Sequence, residues 1–134
     1  MNEIYFTIGL RIAGLILLGL VLANFVASKR LRYAYNLKGS APMVRQIFYV
    51  HCAYIIAVVS ALALLCLGWP ELLLKDGLGR GLSGFFGLFW ISRVVVQLTY
   101  YDREVRRQER LWDVFFLIIF VLLSTVFTVT ALQP

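Results

Sequence analysis

The stretch FWISRVVVQLTYYD, residues 89–102, decides the fold, because it sets an arginine inside an otherwise apolar run. The run begins near residue 82 and ends at 101, about the 20 helical residues that a hydrocarbon core requires. Arg93 therefore lies within a membrane helix, and the rest of the chain has to accommodate it.

Three further apolar runs cover residues 5–27, 47–69 and 112–132. Residues 1–134 thus read as a single transmembrane domain of all-α class. Their short connections predict an antiparallel four-helix bundle of sequence neighbours, with Gly9, Gly14, Gly19, Gly81, Gly84 and Gly87 as points of close approach. Composition agrees: 61% hydrophobic and 15% charged residues leave too little polar surface to coat a water-soluble domain of this length. The first run follows Glu3 instead of a basic flank and ends in SKRLR, with no small-residue cleavage site. It is expected to remain as a membrane helix.

Lys and Arg set the direction of insertion. The 28–46 connection holds Lys29, Arg30, Arg32, Lys38 and Arg45, and 102–111 holds Arg103, Arg106, Arg107 and Arg110. Both are expected in the cytoplasm, both termini on the non-cytoplasmic side, and the protein in the plasma (inner) membrane. Between residues 28 and 46, Leu31, Tyr33, Tyr35 and Leu37 predict either a short surface helix or an irregular basic loop. The net charge of +6 thus serves topology and anionic lipid head groups, and nucleic acid is not an expected partner.

At 100° per residue, Ser83, Phe86, Trp90, Arg93, Gln97, Tyr100 and Tyr101 fall within an arc of roughly 100° on the third helix. Arg93 is about nine residues from Asp102, on the order of 13 Å, too deep for comfortable snorkelling. An arginine so placed costs at least about 2.5 kcal/mol, so it must face partners. His51 and Tyr54 share a face of the second helix at matching depth, and Asn24 approaches from the first. The expectation is an inner-half polar cluster of Asn24, His51, Tyr54, Arg93 and Gln97, with Tyr100 and Tyr101 at its mouth and Trp90 packed beside Arg93.

No carboxylate lies well inside a span to neutralise Arg93: Glu3, Glu71, Asp76, Asp102, Glu104, Glu109 and Asp113 sit in loops or at helix ends. Four sources of counter-charge follow: a lipid phosphate, an anionic or quinone-like ligand, an acid of a partner subunit, or backbone carbonyls and water. Arg11, nearer its helix start, is expected to snorkel. Ser124, Thr125, Thr128 and Thr130 are expected to bond back to their own helix. In YYDREVRRQERLWD, Glu104 can pair with Arg107, and Arg106 with Glu109 or Asp113.

The chemistry available is sparse. One His, no deep intramembrane acid and two scattered cysteines, Cys52 and Cys66, identify no catalytic residue, no metal site and no haem pair. A carboxylate in the first helix, on which the small multidrug transporters rely, is replaced by Arg11, and GFFGLFW echoes the third helix of the dual-topology fluoride channels only loosely. The basic bias of 28–46 also opposes dual insertion. The expected function is a small membrane subunit or a lipid- or ligand-binding protein acting through its helix faces, in a homo-oligomer or a larger membrane complex, with a bound lipid or quinone as the candidate cofactor. The alternatives are an oligomeric channel or transporter for a small anion, and an enzyme using His51, Tyr54 and Arg93 for proton transfer on a lipid or quinone.

Overall fold

The computed structural model describes residues 2–134. Four long helices, α1 (Asn2–Arg30), α3 (Pro42–Gly68), α5 (Leu78–Thr99) and α7 (Arg110–Ala131), are each long and apolar enough to cross a membrane. They pack antiparallel, and their outer surface exposes Ile12, Leu22, Val58, Leu64, Leu88 and Ile118. Such a surface is stable in lipid and not in water, so the chain is an integral membrane protein. Three short helices join the spans: α2 (Tyr33–Asn36), α4 (Pro70–Leu74) and α6 (Arg103–Gln108).

The breaks have local causes. Arg32 takes the left-handed conformation, φ 50°, which ends the α1 ladder and starts α2 as a single helical turn. Pro42 and Pro70 occupy first-turn positions of α3 and α4, where the missing N–H is no loss. Asp102 caps α6 by accepting the Glu104 N–H at 2.8 Å.

Each long helix packs on the next in the order α3, α1, α7, α5, and the ring stays open between α3 and α5. This corrects the expectation that all sequence neighbours pack together: α1 with α3 and α5 with α7 do so, but α3 and α5 do not. The cause is α4, which touches all four long helices and carries the chain across the bundle end instead of reversing it tightly. Leu73, 1% exposed, is the plug there, and its carbonyl accepts the Ser83 hydroxyl at 3.1 Å. Gly79 permits the approach, since a Cβ at that position would collide with the Leu72 carbonyl oxygen.

The interior is apolar. Leu10, Ala13, Leu17, Leu62, Ala63, Cys66, Leu123 and Phe127 fill it, and Gly14 lets α1 approach α3 at Cys66 and Leu67. Among the described residues no buried charged cluster occupies it, which corrects the expected inner-half polar site.

Candidate functional site

The polar stripe of α5 packs on α7, and its Phe86 and Trp90 also border the opening toward α3. Phe86 meets Phe127, with centroids 5.8 Å apart, and Trp90 stacks on Phe120 at 5.6 Å and 21°. Two turns further along, Gln97, 4% exposed, donates Nε2 to the Asp113 carbonyl at 2.7 Å and to its Oδ1 at 2.9 Å. Arg106 completes this latch, donating Nε to Oδ1 at 3.1 Å and Nη2 to Oδ2 at 3.1 Å. Asp113 therefore ties α5, α6 and α7 together at the basic end of the bundle, as a charge-assisted fork that satisfies both carboxylate oxygens.

The other expected members of the cluster do not converge on Arg93. Asn24 donates Nδ2 to the Leu20 carbonyl at 2.9 Å, and His51 Nδ1 lies 2.8 Å from the Ile47 carbonyl, so each is satisfied within its own helix. Tyr54 is 70% exposed and, with Trp90, borders the opening between α3 and α5. Tyr100 and Tyr101 are exposed at the basic end of α5, their rings 6.2 Å apart. Helical periodicity shows which face is polar, but not which neighbour meets it. Asp113 was reachable from the sequence: in an antiparallel hairpin, the same steps back along α5 and forward along α7 that link Gln97 with Asp113 also link Trp90 with Phe120.

Arg93 remains. Its guanidinium carbon sits 5.1 Å from the centroid of the Phe120 ring, and among the described residues it has no ion pair and no hydrogen bond. Phe86, Phe89, Trp90 and Arg93 follow at helical spacing on one side of α5. The first three line the open seam toward α3, whose wall is Tyr54, Ile55, Val58, Val59 and Leu62. The seam is an apolar cleft of about 260 Å³. Trp90 is 3% exposed, and its indole N–H has no acceptor among the described residues. Two donors without a hydrogen-bond partner among the described residues thus lie within one turn of each other, Trp90 in the cleft lining and Arg93 beyond it against Phe120 of α7.

At the basic end, Arg30 pairs with Glu109 at 2.7 Å and lies 5.1 Å from the Trp112 ring centroid. Burial pushes the Tyr33 phenol above its ordinary pKa, with neighbouring Cys52 and Tyr101 adding to the shift, and its ring packs edge-on to Phe48 at 5.1 Å. At the far end, Arg80 reaches Asp76 at 3.0 Å and the Pro134 carbonyl at 3.1 Å, and Gln133 donates to the Leu74 carbonyl at 2.9 Å. These contacts hold the C-terminus against α4 and the start of α5. Among the described residues no group of His, Cys, Asp and Glu forms a metal site.

The fold thus defines the class, a four-span integral membrane bundle with one open seam. Comparison with models of known families, with curated proteins and with solved structures finds no match to the chain.

Proposed function

We propose that the chain is a small membrane-embedded binding subunit that works through its helix faces, and that the face it uses is the seam between α3 and α5. The observation supporting this reading is a juxtaposition along α5: an apolar cleft lined by Phe89 and Trp90 and, one turn further on, Arg93, a cation with no ion pair among the described residues. A helix face that only met lipid chains would gain nothing from an arginine, whose cost of at least about 2.5 kcal/mol has to be offset by something that binds. Leu10, Leu17, Leu123 and Phe127 fill the bundle interior, so the occupant is bound laterally, from the membrane.

The test is site-specific photo-crosslinking in native membranes, with a benzophenone amino acid at Val58 in the seam and at Leu64 on another exposed face of α3. The expected result is an adduct of one defined mass at Val58 and diffuse lipid labelling at Leu64. The same diffuse labelling at both positions overturns the reading.

A further inference from the structure

Depth and charge narrow the occupant further, an inference that rests on the seam reading. Phe120 lies ten residues from the start of α7 and eleven from its end, which is about 15 Å from either end at the helical rise. The Arg93 guanidinium rests on that ring, so it is held near the middle of the span and does not reach for a surface. A lipid phosphate belongs at the edge of a hydrocarbon core about 30 Å thick and would have to descend about 15 Å to meet it. The cleft volume points the same way: about 260 Å³ is below the roughly 300–1,000 Å³ of sites that enclose a whole drug-sized ligand. It suits the side chains of a helix laid along two others.

A second copy of this chain does not supply the charge. Glu3, Glu71, Asp76, Asp102, Glu104 and Glu109 lie at or beyond the ends of the long helices, and Asp113, in the first turn of α7, is engaged by Gln97 and Arg106. The anion has to come from a different chain.

We infer that the α3–α5 seam seats a transmembrane helix of another membrane protein, carrying an aspartate or glutamate near mid-membrane that pairs with Arg93. A carboxylate and a guanidinium that are each costly alone in hydrocarbon cost far less as a hydrogen-bonded pair, because neither is then left as an uncompensated charge. The carboxylate has two oxygens, which match the parallel N–H donors of the Arg93 guanidinium.

The test uses a defined probe: a 23-residue polyleucine peptide with one central glutamate, compared with versions carrying central glutamine or leucine. Each is reconstituted with the full-length protein in phosphatidylcholine vesicles, and association is read by resonance energy transfer. The glutamate peptide is expected to bind at least tenfold more tightly than either control. That preference should vanish in Arg93→Leu and Arg93→Gln, and all three peptides should weaken in Val58→Trp, which fills the seam. Equal binding of the three peptides, or a glutamate preference that survives both Arg93 variants, overturns the inference. So does a phosphatidylglycerol molecule retained on the wild type in native mass spectrometry, lost in Arg93→Leu, with no peptide preference. A lipid adduct of defined mass at Val58 would then leave the seam reading standing, whereas diffuse labelling there would remove both.

Discussion

Arg93 and Arg106 show two outcomes for an ionised side chain near lipid. Arg106 meets Asp113 with paired N–H···O bonds while Gln97 takes the same carboxylate from the other side. Arg93 lies over the face of Phe120, a contact worth about 0.5–2 kcal/mol, with no ion pair or hydrogen bond among the described residues. Opposite responses to mutation follow. Asp113→Ala takes the carboxylate from a part-buried guanidinium and leaves Gln97 only the backbone carbonyl of residue 113, and should cost about 1–3 kcal/mol in detergent unfolding. Arg93→Leu removes a cation that has no ion pair among the described residues, so the unfolding midpoint of the isolated protein should stay or rise. A fall of several degrees would mean that the arginine is part of the fold. Tyr33 gives a pH test. Its folded-state pKa is raised, so its contribution to stability is intact below the ordinary value of about 10 and is lost as pH climbs above it. In the ultraviolet titration near 295 nm, the component removed by Tyr33→Phe should be the late one.

Among the elements, the two well-packed helix pairs depend on glycine to different degrees. A Cβ at Gly87 would stand 2.6 Å from the Thr128 hydroxyl and 3.2 Å from its backbone nitrogen, whereas one at Gly14 would stand 2.8 Å from the Leu67 side chain. At Gly87 two of the close atoms are backbone, whereas at Gly14 they are the Leu67 Cγ and, at 3.1 Å, the Cys66 Cβ, so Gly87→Ala should destabilise by about 1–3 kcal/mol and Gly14→Ala by somewhat less. Gly19→Ala, which meets nothing within 4 Å, should be neutral or slightly stabilising. Equal losses at the three positions would show that close approach is not what these glycines provide. Sequence reading found the four spans because hydropathy over 20 residues is a property of each element alone. It placed His51 and Asn24 wrongly for the complementary reason: both bond to a carbonyl four residues back in their own helices, a choice that side-chain type does not reveal. The α4 plug was equally hidden, since PELLL between two spans reads as a loop until its leucine is seen buried.

For the molecule as a whole, the basic loops imply an orientation that labelling can decide. In a chain with Cys52→Ala and Cys66→Ala, a cysteine introduced by Lys75→Cys should react with a membrane-impermeant maleimide on intact cells, and one introduced by Ser40→Cys only after the membrane is opened. The reverse pattern would invert the topology proposed from Lys and Arg counts. The count of helices was legible, and so was their apolar exterior. Their cyclic order was not, because it depends on what α4 does at one end.

An opening between α3 and α5 that faces sideways changes how encounters are counted. Whatever enters must first be dissolved in the bilayer, so occupancy follows its mole fraction among the lipids and not its concentration in water. Search is then confined to two dimensions, with the partner already held near the right depth and tilt. A modest affinity suffices under those conditions, and dilution into detergent, which abolishes the shared sheet of lipid, should release the occupant even where every contact in the cleft is intact.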